Sequence, residues 1–211
     1  MARPRDQDPE AEWLAKLDAS IGRVGTPWPR PAPPEPLIVS GPHPARLAPD
    51  ELLRHCDLSR GRSSGPGGQH RNKVETLVHL THEPTGVQAQ AGERRSAAEN
   101  KREAVWRLRL ALAVQVRCAV GAGDVRSGLW IRRTAGEARA GRITVSPTHD
   151  DYPAMLAEAL DMLWACGLDV ATAAARLECT SSQLVKLVKD HPAAMVWVNA
   201  RRTAMGMRAL R

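Results

Sequence analysis

The stretch Arg62-Ser63-Ser64-Gly65-Pro66-Gly67-Gly68-Gln69-His70-Arg71-Asn72-Lys73 constrains this 211-residue chain more than any other. Three glycines and a proline in four consecutive positions fit neither a helix nor the middle of a sheet. The expectation is an exposed loop with so little side-chain bulk that another molecule can approach its backbone. Gln69 is the first long side chain after the glycines, and its amide both donates and accepts. Cations stand on either side, at Arg60, Arg62, Arg71 and Lys73. The stretch therefore reads as a cation-flanked tip that offers backbone N–H groups and one amide to an anionic partner.

Two phosphate-binding motifs are excluded. A P-loop needs Gly-Lys followed by Ser or Thr, and the chain contains no Gly-Lys pair. The dinucleotide fingerprint Gly-x-Gly-x-x-Gly fails because position 70 is histidine. A plain Gly/Pro turn would explain the tetrapeptide GPGG, but not the length of the surrounding pattern. The run RSSGPGGQHRNKVETLVHLTHEPTGVQAQAGERRSAAENK resembles the peptidyl-tRNA hydrolysing domain of class I peptide chain release factors, whose signature is Gly-Gly-Gln. The resemblance extends from Cys56 to Val116 and includes NKVET, LTHEPTG and the RS…N opening of a helix.

That resemblance implies a fold and a chemistry. The expected fold class is α+β: a small β-sheet covered by a long helix, as the resemblance implies, followed by an α-helical, helix-turn-helix-like module that the residues themselves suggest. The expected division is 1–49 for a short helix and Pro-rich arm, 50–148 for the hydrolase domain, and 149–211 for the helical module. Gly67, Gly68 and Gln69 would be catalytic. The Gln69 backbone N–H would contact the reacting centre, and its side chain would admit water over larger nucleophiles. Arg60, Arg62, His70, Arg71, Asn72, Lys73, Arg94 and Arg95 would hold rRNA, and the partners would be the ribosome and peptidyl-tRNA. The same analogy implies methylation of the Gln69 amide by a glutamine methyltransferase. No cofactor and no metal are expected, and the protein would act as a monomer.

The totals agree with an RNA partner. Net charge is +7, and residues 51–120 carry twelve Lys/Arg against seven Asp/Glu, whereas residues 1–50 carry six against seven. The positive excess thus centres on the Gly-rich stretch, as a polyanion-facing surface requires. Arginine supplies 25 of the 30 cations and can grip phosphate with a planar fork. With no Phe and one Tyr, an aromatic platform for single strands is not expected. Cys56, Cys118, Cys166 and Cys179 are scattered and read as buried thiols of a reducing, cytoplasmic protein. No apolar run approaches the ~20 residues of a membrane span, and the first ten residues lack an apolar targeting core.

Along the chain, residues 8–22 suggest an amphipathic helix, with Asp8 as cap and Trp13, Leu14, Leu17 and Ile21 on one face. Pro27 to Pro49 holds nine of the sixteen prolines and reads as an extended arm outside the core. A helix at 49–54 should lead into a strand at 55–62. Residues 73–81 alternate as a strand, Glu83-Pro84-Thr85-Gly86 is turn chemistry, and 87–91 returns as the partner strand. His79 and His82, three apart on a strand, point to opposite faces and cannot chelate one ion. Ser96-Ala97-Ala98-Glu99 is a capping box opening a helix over 97–119, with Val105, Leu108, Leu112 and Val116 on its apolar stripe. Lys101, Arg102, Arg107, Arg109 and Arg117 are expected on its solvated face. Short strands are expected at 129–133 and 142–146.

The remainder reads as helices. Asp151 and Pro153 open one that Gly167 ends; Val170–Leu177 is a second; Thr180-Ser181-Ser182-Gln183 caps a third; Pro192 begins the last. A compact bundle and a helix-turn-helix both fit this pattern. The functional version places Lys186, Lys189 and terminal arginines including Arg201 and Arg202 on nucleic-acid backbone.

Three functions are compatible with these features. The first is ribosome-dependent hydrolysis of the peptidyl-tRNA ester. It would be codon-independent, because no Pro-x-Thr or Ser-Pro-Phe codon-reading tripeptide is present and only about 55 residues precede the domain. The second is a non-catalytic RNA-binding adaptor, and the third a DNA-binding regulator acting through the C-terminal helices. Two positions depart from the family pattern: Arg71 replaces a small or apolar residue, and Ala97 a glutamine.

Overall fold

The first ordered elements already depart from a free arm. The computed structural model describes residues 35–62, 75–123, 126–134 and 142–211, all within the compact unit Pro33–Arg211. In chain order these are β1 (Leu37–Val39), a 3₁₀ turn (Pro44–Arg46), α1 (Pro49–Leu53), β2 (Cys56–Gly61), β3 (Leu77–His82), β4 (Gln88–Ala91), α2 (Ala97–Gln115) and β5 (Val116–Cys118). They are followed by α3 (Gly128–Thr134), α4 (Tyr152–Ala165), α5 (Val170–Arg176), α6 (Ser181–Lys189) and α7 (Pro192–Ala204). The helix expected over 8–22 lies outside the described residues. No helix among those described is long and apolar enough to cross a membrane.

β2, β3 and β4 form an antiparallel sheet in that order, with Val78, Leu80 and His82 of the central strand turned inward. The β3–β4 connection is tight because Gly86 takes φ +69° and donates to the His82 carbonyl at 2.7 Å. α2 lies against β3 and β4. Its cap forms as the sequence indicates: Ser96 Oγ accepts the Glu99 N–H at 3.4 Å.

Three expectations are corrected here. The proline-rich arm is not outside the core from Glu35 onward. β1 pairs in parallel with β5, Leu37 opposite Val116, and His43, Pro44 and Ala45 are buried. The His43 ring lies 3.2 Å from the Val116 carbonyl through Nε2, and its Nδ1 accepts the Ala45 N–H. Proline at the start of the 3₁₀ turn costs no hydrogen bond, because the first N–H groups of a helix have no partner within it.

Second, the long helix stops at Gln115, not near 119, and Arg109 and Arg117 are buried. Arg117 is 0% exposed and folds back onto the helix end, donating to the carbonyls of Ala113, Val114 and Val116. Those carbonyls would otherwise be orphans of the last turn. Its guanidinium also stacks on Trp197 of α7, 4.3 Å from the ring centroid. Arg109 donates to the carbonyls of Ala45 at 3.0 Å and Asp150 at 2.7 Å, tying the former arm and the start of α4 to α2. An arginine on an apolar stripe is ambiguous in sequence, because five donors can serve distant carbonyls as well as water.

Third, 129–133 is helical and 142–146 forms no strand. Ser127 acts as the cap of α3, its Oγ accepting the Trp130 N–H at 3.0 Å. The turn then drives Trp130 fully inside, where Nε1 donates to the Leu177 carbonyl at 2.9 Å. Alternation over five residues cannot distinguish these outcomes, since a single buried aromatic decides the conformation.

α4 is almost wholly buried and packs on α2, α5 and α6, so one apolar core runs from Leu52 and Leu80 to Leu184 and Val198. Gly167 ends α4 as expected: its N–H reaches the Trp164 carbonyl, and the Leu168 N–H reaches Leu163 at 2.7 Å, a Schellman closure.

Two buried titrating groups in this core act in opposite directions. Burial pushes the Asp161 carboxyl up to about 7, against its hydrogen bond from the Cys118 N–H and the nearby Arg117. Burial likewise lowers the His43 imidazole to about 4. In the folded state Asp161 keeps its proton to about pH 7, while the unfolded chain loses it near pH ~4, so its contribution to stability falls as pH rises between them. Folded His43 stays neutral down to about 4 while the unfolded ring protonates near 6.5, so its contribution falls as pH drops through that window. Urea melts of Asp161→Asn are therefore expected to gain more stability from raising pH across this range than the native chain does. His43→Gln is expected to gain less.

Candidate functional site

The Gly-rich connection leaves the sheet between β2 and β3. Their ladder runs from Cys56 opposite His82 to Gly61 opposite Leu77, and beyond that pair the chain passes through residues 62–76. Gly67, Gly68, Gln69, His70, Arg71, Asn72 and Lys73 lie outside the described residues. What the structure describes is the root that holds this connection.

The root is fixed by Asn100, in the first turn of α2 and 0% exposed. Its Nδ2 donates to the carbonyls of Thr76 at 2.7 Å and Arg94 at 2.9 Å, and its Oδ1 accepts the Arg94 N–H at 2.9 Å. One side chain thus joins the strand leaving the connection, the loop after β4, and the helix behind them. The signal for it is a polar residue on the apolar stripe, four before Ala104 and eight before Leu108, a position where an unbonded amide would be costly. Replacing Asn100 by leucine leaves two carbonyls and one N–H without this partner. A loss of about 2–4 kcal/mol in urea unfolding is expected. Beside it, Leu77 lies over Gly92, where a Cβ would approach its Cδ1 to 2.8 Å.

Four predicted RNA-contacting cations surround this root. Arg60 is exposed on β2; Arg62 faces Glu75 at 3.6 Å across the stem; Arg94 and Arg95 are exposed just after β4. The Arg62–Glu75 pair is largely solvated and holds little energy. Arg107, in contrast, is committed to Glu93 at 2.8 Å, Glu103 at 2.9 Å and the Gln90 carbonyl. The hydrogen bond from Arg107 holds the Glu93 carboxyl below its ordinary range. Lys186 and Lys189 are exposed on α6.

Arg201 and Arg202 do not join them on an open surface. Arg201 is 11% exposed, pairs with Glu35 and lies against the rings of Trp164 and Trp197. Arg202 donates to the carbonyls of Leu168 and Arg208. Both are used to close the C-terminus onto the core.

Among the described residues no acid–base or nucleophilic set stands at the root. His82 is buried with Nδ1 2.7 Å from Thr85 Oγ1, and burial lowers its pKa. His79 is on the opposite face of β3. Burial pushes the thiols of Cys56, Cys118 and Cys179 up to about 11, so none is a thiolate at neutral pH. Among the described residues no group of His, Cys, Asp and Glu could hold a metal ion. The arrangement offers a rigid, cation-rimmed platform, with its chemistry left to the residues it projects.

Comparison with known proteins places this platform. Residues 53–120 match the RF-1 domain model. The chain is 42% identical over 81 residues to the chloroplastic peptide chain release factor PrfB1 of Arabidopsis thaliana, covering 36% of this chain and 18% of that protein. It is 47% identical over 62 residues to peptide chain release factor 1 of Acidiphilium cryptum, covering 29% and 18%. It is 51% identical over 51 residues to peptide chain release factor 2 of Aromatoleum aromaticum, covering 24% and 14%. The chain therefore spans less than a fifth of the length of these relatives. It thus carries a match to the RF-1 domain over residues 53–120 and is similar to peptide chain release factors over part of its length.

Proposed function

We propose that this protein hydrolyses the peptidyl-tRNA ester on the ribosome, without reading a codon, and so frees stalled ribosomes. The observation that carries the reading is Gly67-Gly68-Gln69 standing inside the segment that matches the RF-1 domain, between two strands whose root Asn100 locks. The ester is already activated, so the factor needs to place water and stabilise the oxyanion, both of which are positional tasks. A glycine-rich tip can do this with main-chain donors. The Gln69 N–H would face the oxyanion, and the Gln69 amide would orient water and exclude bulkier nucleophiles. The lack of an acid–base set at the root fits this division of labour. Arg60, Arg62, Arg94 and Arg95 would hold rRNA around the tip, and the reaction would take place wherever ribosomes work in the cytoplasm.

The codon-independent part rests on the sequence, which holds no Pro-x-Thr or Ser-Pro-Phe codon-reading tripeptide. Residues 121–211 contribute α3 to α7, built onto the same core, and these helices would sense the ribosome's state. Single-turnover peptide release on ribosomes carrying no mRNA, a truncated mRNA, or a stop codon in the A site tests this. Comparable release on the first two is expected. Release confined to the stop codon would overturn codon independence, and no release on any of the three would leave an RNA-binding adaptor.

A further inference from the structure

We infer that the exposed face of α6 is a second nucleic-acid contact, one that grips the phosphate backbone of double-helical RNA. The choice of RNA over DNA rests on the proposed ribosomal function; the phosphate-binding face itself does not.

α5 and α6 are joined by four residues, 177–180, and both starts are capped by side chains. Asp169 accepts the Thr172 N–H at 2.7 Å, and Thr180 Oγ1 accepts the Gln183 N–H at 3.2 Å. α6 then buries Leu184, Leu187 and Val188 against α4, α5 and α7. That packing fixes which residues remain outside: Ser181, Ser182, Lys186 and Lys189 line the outer face, with Val185 between them. The C-terminal Arg211 is brought to the same place. Together these six line an open depression of about 440 Å³.

The composition of this depression is that of a phosphate site. Its two lysines and the Arg211 side chain make no hydrogen bond or ion pair with the described residues. Two hydroxyls stand in the first turn of α6, where helix N–H groups point outward and the dipole favours an anion. Asp190 is exposed at the end of the same helix, while Glu178 of the connecting turn is engaged by Arg126. Apart from Arg211 and the half-buried Gln183, the face lacks the Arg, Asn and Gln forks that read base edges. A face dominated by lysines and hydroxyls suits sequence-independent contact with phosphate and 2′-OH, the mode by which RNA duplexes are held. Arg201 and Arg202, which charge alone would have added, are half-buried and bonded within the fold instead.

The test uses the full chain and an RNA duplex of about 16 base pairs, with the same sequence as DNA for comparison. Binding is read by fluorescence anisotropy across a salt series. Lys186→Glu with Lys189→Glu is expected to weaken RNA binding at least roughly tenfold and to lower the salt slope by about 2. Ser181→Asp with Ser182→Asp provides a second variant: acids in the first turn favour the helix, so folding is kept while phosphate is repelled. Arg132→Glu, a like change on the exposed side of α3, is expected to leave the affinity within about twofold, the scale of a distant surface charge. Unchanged affinity and slope in both α6 variants would overturn the proposal. Equal or tighter binding of the DNA duplex, lost with the same substitutions, would overturn the assignment to RNA. Neither readout involves a ribosome or ester hydrolysis, so a failure here is separate from a failure of peptide release.

Discussion

Gly68→Ala is expected to lower single-turnover peptide release by roughly 100-fold or more, the cost of losing one preorganised oxyanion donor. The expected effect is steric as much as electronic. A main-chain N–H can reach a reacting carbonyl only if nothing projects from the backbone beside it, and a Cβ on the tip would push the donor away. Gly67→Ala should act in the same direction. Gln69→Ala keeps the backbone donor and removes only the amide, so it should slow hydrolysis less and relax the preference for water over small amines added to the reaction. These substitutions change none of the described core residues, so thermal unfolding should stay within about 0.5 kcal/mol of the native chain. Undiminished release by Gly68→Ala would remove the Gly-Gly-Gln tripeptide from the chemistry, whatever the RF-1 segment's ancestry.

The second large effect is structural. Trp130→Ala is expected to cost about 3–5 kcal/mol, because it empties the volume of the largest fully buried side chain. It also strands the Leu177 carbonyl, which loses its indole donor. For a chain of this size such a loss lowers Tm by roughly 10 °C. The consequence reaches beyond α3. Trp130 touches the turn between α5 and α6 in a core that is continuous with α2 and the sheet. One cooperative unfolding transition, shifted as a whole, is therefore expected in both circular dichroism and tryptophan fluorescence. Two transitions, with only one displaced, would mean that the helices after 149 fold separately from the RF-1 segment.

Some of this architecture was legible because its signals are local. Ser96, Thr180 and Gly167 announce helix ends through bonds to residues within four or five positions, and those bonds form as the spacing indicates. The β3 alternation of Val78 and Leu80 needs only one buried face to be meaningful. The family resemblance was legible for a different reason: Gly-Gly-Gln and its neighbours form an unbroken string within the residues that the RF-1 match covers.

Other features depend on partners far along the chain. Leu37–Val39 becomes a strand only because Val116–Cys118 lies beside it, and Arg117 ends the long helix only because its guanidinium is stacked under Trp197. Asn100 becomes the lock of the tip's root only when Thr76 and Arg94 converge on it.

The order of residues alone thus settled where most of the helices begin and which face of the central strand turns inward. Packing alone decided which arginines are surface and which are struts. The reason is that a guanidinium's donors are equally content with water, phosphate or a buried carbonyl. For Arg94, Arg109, Arg117 and Arg201 the choice was made by what the folded core brings within reach.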